Sequence, residues 1–467
     1  MANSQGIGEL TTPERSDYLP ETGLHRGLTE RQLSMIAIGG AIGVGLFLGT
    51  SISIRLAGPG LILSYLLGAV IALVVAYAIA EMAVVHPAAG SFGVYAERYL
   101  HPWAGLAVRA TYGIVQILAI GAEVTAVAIY FAFWFPAVPQ WIWVGIASVF
   151  LVTLNALQVN RFGEFEYWFA LIKVVAIICF IVIGAALIFG VVHRPALGAV
   201  NLTQNGGFLP FGWRGVWLAL TLVITSYMGI EVIAVTSGEA ENPEKSIPKA
   251  MRNIVYRLII FYVLAVAIML ALVPWNKMGT GGLNGSPFVL AFSMVGIPYA
   301  ASIMNFVVIS AALSSANTNL YLSTRMLFSL SRAACAPAWV GCLSSRGVPL
   351  RALAISTGGM LTAIILAFYN PRGAFLLLYG TAVAGMFFVW LVILASHLQF
   401  RRAIGARARE LPLSVWGYPY STLFAMFLMA AIAVSTVWVS GLKYSVPTYA
   451  VLLLLVTVVY ACFRRGT

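Results

Sequence analysis

The feature that most constrains this chain is the recurrence of nearly uncharged apolar runs about 20 residues long, separated by short polar stretches rich in Gly, Pro and Asn. Wound as a helix rising ~1.5 Å per residue, such a run matches the roughly 30 Å hydrocarbon core of a bilayer. Hydrophobic residues make up 61% of the chain and charged residues 9%, where a soluble chain carries roughly a quarter charged residues. Folded in water, this composition would expose apolar area that its polar groups could not cover. The sequence therefore predicts an all-α membrane protein with 12 transmembrane helices. They are expected near residues 33–54, 59–85, 104–134, 140–160, 166–190, 214–238, 254–275, 299–330, 351–370, 374–399, 418–441 and 446–463.

Charge gives the orientation. The formal net charge of +12 would be compatible with a nucleic-acid partner, but basic residues also collect in the cytoplasmic loops of membrane proteins. With an even number of spans and both termini in the cytoplasm, 20 of the 27 Lys and Arg residues fall on the inner side and six on the outer, with Lys173 inside a span. That bias accounts for the charge without nucleic acid. Residues 1–27 read as a polar cytoplasmic tail with no cleavable signal peptide. The four cysteines form no CxxC or Cys/His spacing, so neither a disulfide nor a metal site is expected, and no cofactor is implied. The protein is expected in the cell (inner) membrane, with the lipid bilayer as its solvent.

Ionisable groups at bilayer depth are costly unless they meet water, a partner or a cavity. Glu123, Lys173 and Glu231 fall within the third, fifth and sixth spans. Glu123 and Glu231 lie mid-span and are expected to point into the bundle. Lys173 lies nearer a helix end, where a long basic chain can snorkel. Glu81, near the inner end of the second span, could reach the interface.

Glycine supplies the second signal. The first span packs Gly39, Gly40, Gly43 and Gly45 around Ala41 and Ile42, and each glycine weakens a helix by about 1 kcal/mol relative to alanine. Close helix–helix contact fits part of this pattern. A dinucleotide-binding turn does not, because it needs a strand and a soluble βαβ unit. A break here would free backbone N–H and C=O groups, which persist at bilayer depth only where they line a cavity or meet a ligand. The sixth span has a similar weak point over Tyr227, Met228, Gly229, Ile230 and Glu231. Two interrupted spans, five apart, suggest inverted repeats with a site between them. Half-helix N-termini suit a carboxylate, and loose carbonyls suit an ammonium, so a zwitterion is a sensible ligand.

At these residues the chain resembles bacterial amino acid permeases of the amino acid–polyamine–organocation superfamily, in the group with the aromatic, proline, γ-aminobutyrate and lysine permeases. The resemblance runs from about Gly27 to Phe400. Its most specific stretches are Ile38 to Phe47, Ala80-Glu-Met to Gly90-Ser-Phe, Gly121-Ala-Glu-Val-Thr-Ala, Gly238-Glu-Ala-Glu-Asn-Pro-Glu-Lys-Ser-Ile-Pro-Lys249, Ser314-Ser-Ala-Asn317 and Ser323-Thr-Arg-Met-Leu. It implies a 5+5 inverted repeat with discontinuous helices 1 and 6. Residues 28–213 would hold the first repeat, 214–400 the second, and 401–467 two extra helices and a short cytoplasmic C-terminus. It implies that Gly40 to Gly43 bind the substrate carboxylate and that residues 227–231 face the amino group and side chain. Lys173 matches a fifth-span lysine whose amine stands where sodium-coupled relatives hold an ion. That makes Lys173 the candidate proton-coupling group, Glu123 and Glu231 candidate proton or ammonium partners, and Ser314 and Ser315 candidate hydrogen-bond partners of the amine. Lysine-type relatives tend to carry a small hydroxyl residue where this chain has Ile230. Met228 and Ile230 thus suggest a wall for an uncharged side chain.

The expected function is import of an amino acid with an uncharged side chain by proton symport and alternating access. Exchange would share the fold. A membrane enzyme would need a nucleophile–base pair or a metal cluster, and the histidines show no i,i+4 pairing. A nutrient sensor usually carries a soluble output domain, whereas both tails here are short. The inner loop 239–253 mixes charges densely and could form gate salt bridges or simply be solvated. The sequence does not give the oligomeric state.

Overall fold

The structure, a computed structural model, describes residues 42–86, 91–156, 159–191, 198–231, 251, 260–278, 287–295, 299–332, 335–344 and 347–465. Among these residues every regular element is helical. A π-helical turn, Gly45–Gly49, opens the first span and leads into α1 (Thr50–Ala57); a Gly58–Gly60 turn then joins α1 to α2 (Leu61–Val85). There follow α3 (Ser91–Tyr99), α4 (Pro102–Phe131), α5 (Gln140–Asn155), α6 (Val159–Ile188) and α7 (Gly212–Ser226). A second π turn, Ile260–Leu264, leads into α8 (Ala265–Leu272). The chain continues through α9 (Pro287–Val295), α10 (Ala300–Arg332), α11 (Leu350–Ser356), α12 (Gly358–Tyr369), α13 (Ala374–Ile404), α14 (Tyr420–Ser435) and α15 (Ser445–Arg465). Helix is found within each expected span. Among the described residues seven helical stretches are long and apolar enough, by length and composition, to cross a membrane; the longest, Gly45–Val85, runs from within the first expected span to the end of the second.

The helix ends follow local chemistry. At the start of α4 the His101 side chain accepts from the Trp103 N–H at 3.1 Å, and Pro102 follows at a position where its missing N–H costs nothing. At the end of α13, Arg401 and Arg402 occupy the last turn, where cations complement the helix dipole, and Gly405 (φ +54°) stops the helix. The sixth expected span ends early: α7 stops at Ser226 and residues 227–231 form turns.

Burial separates inner from outer helices. The apolar windows of α4 and α10 are each 72% buried, against 28% for α6 and 33% for the stretch Tyr420–Trp438. α4 lies at the centre, packed chiefly against α10 and α13. The outer helices expose large apolar side chains, such as Ile146 and Val149 on α5, Leu361 and Ile365 on α12, and Leu454 and Val458 on α15. In water such faces would be a liability, whereas in lipid they are the solvated surface. Inside, α4 and α12 approach closely enough that a Cβ built on Gly121 would lie 2.6 Å from the Gly359 carbonyl, and one on Gly359 would strike the Ile117 carbonyl. Small residues at such a crossing let the backbones meet.

Glu81 does not take the route to the interface that its position left open. It is fully buried and accepts from Arg401 Nη2 at 2.8 Å, pairs with His397 Nε2 at 2.9 Å, and takes the Val415 backbone N–H. This cluster ties the end of α2 to α13 and to the segment entering α14. A buried ion pair is costly to break from one side, by about 3–5 kcal/mol. Glu81→Gln is therefore expected to lower the thermal midpoint of the detergent-purified protein by several degrees, and Glu81→Gln with Arg401→Met to recover part of the loss. Gly359→Val, which overpacks a backbone contact, is expected to cost about 1–3 kcal/mol, read as a lower midpoint in the same melt.

Candidate functional site

The site forms where the bend that opens the first described helix faces the turns that follow α7. Gly43 sits in a bend ahead of the first π turn, with Ser315 and Glu123 so close that a Cβ would lie 2.6 Å from the serine oxygen and 2.7 Å from the carboxylate. Only glycine fits that approach. Opposite, the turn 227–231 passes through Gly229 at φ +105°. Its N–H donates to both Glu231 oxygens, at 3.0 Å each, and Tyr112 OH reaches Glu231 Oε1 at 3.5 Å. Glu231 thus closes its own loop and holds the break in shape.

A cavity of about 90 Å3 lies between these breaks and the central helices. Gly43, Val44 and Gly45 border it on one side, and Thr225, Ser226, Met228, Gly229 and Glu231 on another. Helix α4 contributes Val115, Gln116, Ala119, Ala122 and Glu123; α10 contributes Ser315 and Asn319; α13 contributes Tyr379, Ala382, Val383 and Met386. The walls are mostly apolar, with a few polar groups converging, as in small-molecule sites. Glu123 is buried. Its Oε1 accepts from Ser315 Oγ at 2.7 Å and from the Val44 N–H at 3.5 Å. Its Oε2 makes no hydrogen bond among the described residues.

Lys173 is fully buried and does not snorkel. Its Nζ donates to the Ile42 carbonyl at 3.0 Å, so the amine caps a backbone carbonyl at the bend ahead of the first π turn. Ser314 donates to Glu166 and Ser315 to Glu123, a carboxylate being a strong acceptor for a hydroxyl.

Of the remaining expected residues, Gly39, Gly40 and Ala41 lie outside the described residues, as does loop 239–253 apart from Met251. Ile42 contributes its carbonyl and is not on the cavity wall. Tyr227 points away from the cavity. Its hydroxyl donates to the Tyr65 carbonyl at 2.8 Å, and its ring packs against Tyr65 and Tyr262. Ile230 is buried in the apolar core behind the wall, so Met228 alone of that pair touches the cavity.

Other residues escaped the reading of the sequence. Tyr379 hydrogen-bonds Thr225, and a hydroxyl chain runs from Thr50 to Tyr65 (2.9 Å) to Ser226 (3.3 Å). Gln116 stands as an isolated polar residue in an apolar run, which is the signal that could have found it, whereas Asn319 is hidden in the polar stretch Ser314–Asn319. Glu166 was placed at the start of a span. In the structure α6 begins at Val159, leaving Glu166 buried two turns inside it.

Comparison with known proteins agrees with this geometry. The family model for amino acid permeases matches residues 32–464. An uncharacterised amino acid permease of Bacillus subtilis, YtnA, is 41% identical over 414 residues, covering 88% of this chain and 89% of the relative. The aromatic amino acid transport protein AroP of Salmonella typhimurium is 38% identical over 445 residues, 95% and 96% of the two chains. A γ-aminobutyric acid permease of Bacillus subtilis is 37% identical over 447 residues, 95% of each. With seven membrane-length apolar helices and a match over nearly its whole length, the chain belongs to the amino acid permease family, whose members are multi-pass membrane proteins that transport amino acids.

Proposed function

We propose that this protein imports an amino acid with an uncharged side chain by proton symport, alternating access to the cavity between the two interrupted spans. The observation that carries this reading is the arrangement of three groups around one helix break. Glu123 Oε2 has no hydrogen bond at the cavity edge, and the buried Lys173 amine lies on the Ile42 carbonyl just behind it. In this reading the chain crosses the membrane 12 times with both termini in the cytoplasm. Residues 28–213 and 214–400 are the inverted repeats, and 401–467 carry the two extra helices.

The substrate carboxylate meets the N–H groups around the first break, from Gly39 through Gly43, and the ammonium meets Glu123. Glu231 is occupied by the Gly229 N–H and is left as a loop-holding group. The side-chain end of the cavity is bordered by Val115, Ala119, Val383 and Met386, with no charge to match a cationic side chain. The aromatic and γ-aminobutyrate transport named for two relatives supports a substrate with no charge beyond its carboxylate and ammonium.

Purified protein in liposomes, given a labelled amino-acid panel with and without an inward proton gradient, tests the reading. Gradient-stimulated accumulation of amino acids with uncharged side chains is expected; uptake only into liposomes preloaded with amino acid would replace symport by exchange. Glu123→Gln is expected to lower kcat/KM for uptake by at least tenfold, about 1.4 kcal/mol of lost binding and coupling energy; unchanged uptake would remove Glu123 from the site. Lys173→Ala is expected to abolish gradient-driven accumulation, read as a final internal concentration no higher than the external one.

A further inference from the structure

The structure holds a second buried carboxylate beside the coupling lysine, on the side away from the cavity. Glu166 is fully buried and does not border the cavity. It accepts from the Ser314 hydroxyl and from Asn317 Nδ2 at 3.1 Å, and Asn317 Oδ1 in turn accepts from Asn155 Nδ2 at 2.7 Å. This polar thread joins α5, α6 and α10 under the lysine.

Glu166 and Lys173 are seven residues apart on α6. At 3.6 residues per turn that separation brings them within about 20° of one face, roughly 10 Å apart along the axis. Helical side chains lean toward the helix N-terminus, so the Lys173 stem points toward Glu166. The lysine lies within electrostatic reach of both Glu166 and Glu123. Glu123 borders the cavity and Glu166 lies toward the start of α6, the inner end in the orientation proposed above.

A neutral amide could staple α6 to α10 through the same serine and asparagine. A carboxylate in that position costs several kcal/mol more in apolar surroundings. A charge held at that cost, on the same helix face as a buried amine, indicates that its ionisation is used. We infer that Glu166 is the inner acceptor of the transported proton. After the substrate is released and the first break rearranges, the Lys173 amine leaves the Ile42 carbonyl. One N–H bond of the ammonium breaks and an O–H bond forms on Glu166, leaving a neutral amine and a neutral acid. Glu166 then gives the proton to water on the inner side and returns to the carboxylate. The amine is recharged from the outer side through Glu123. Glu166 touches no substrate atom and acts through Lys173. The inference rests on the symport reading.

The test compares two modes in the same liposomes: gradient-driven accumulation, which needs the proton released inside, and exchange of external for internal substrate, in which the loaded carrier returns without releasing it. Glu166→Gln is expected to reduce accumulation at least about tenfold while exchange stays within about threefold of the unmodified protein. Glu166→Asp, which keeps an acid, is expected to accumulate more than Glu166→Gln. Accumulation by Glu166→Gln equal to that of the unmodified protein overturns the inference, as does an equal loss of both modes, which would make Glu166 a structural staple. Should Glu166→Gln not fold, Glu166→Asp decides: accumulation reduced more than exchange supports the relay, and equal reduction overturns it. An unmodified protein that exchanges without accumulating would instead overturn the symport reading itself.

Discussion

A helix interrupted inside an apolar slab leaves amide and carbonyl groups that lipid cannot satisfy, and much of this fold is arranged around that constraint. At the bend that opens the first described helix, backbone groups are met by side chains from distant helices. The Ile42 carbonyl takes the Lys173 amine, and the Val44 N–H reaches Glu123. The sixth span is met by its own Glu231, which collects the Gly229 N–H. Lys173, Glu123 and Glu231 each therefore stand where a backbone group is available to receive them. The breaks and the charges explain one another, and neither would be tolerable in the membrane alone.

The two breaks differ in how completely they are satisfied, and that difference gives the site its direction. Glu231 is engaged through both oxygens by a backbone N–H. Glu123 is engaged through one oxygen, and the other makes no hydrogen bond among the described residues. A ligand with an ammonium group can complete the first break, while the second is already closed. Behind Glu123, the amine and the Glu166 thread extend the polar groups away from the cavity. The supporting frame is α4, held between α10 and α13, so the acidic group bordering the cavity stands on a central and well-buried helix.

Much of this was legible in the sequence because membrane solvation is so restrictive. Apolar runs found the helices, glycine density found the first break, and lone charges in apolar runs found Glu123, Lys173 and Glu231. What failed were judgements of direction and depth. Tyr227 and Ile230 are sequence neighbours of Met228 and Glu231, yet a turn with Gly229 at positive φ does not keep one face, and both side chains pack away from the cavity. Glu81 and Glu166 were near the predicted ends of spans, where a carboxylate can ordinarily reach water. Both are buried because tertiary partners, Arg401 and His397 for one and Ser314 and Asn317 for the other, come from helices more than 140 residues away in sequence. The carboxylates that accept from the Ser314 and Ser315 hydroxyls, Glu166 and Glu123, could likewise be found only from packing.

Proton symport makes one demand that no other use of this site makes: substrate entry must carry protons with it. The decisive measurement is the internal pH of liposomes containing the purified protein and a trapped pH indicator, started with no proton gradient, when a transported amino acid is added outside. Symport requires the interior to acidify in step with uptake, and requires the acidification to vanish in Lys173→Ala. Uptake of the amino acid with no change in internal pH would contradict proton coupling and leave the lysine as a cap on a broken helix.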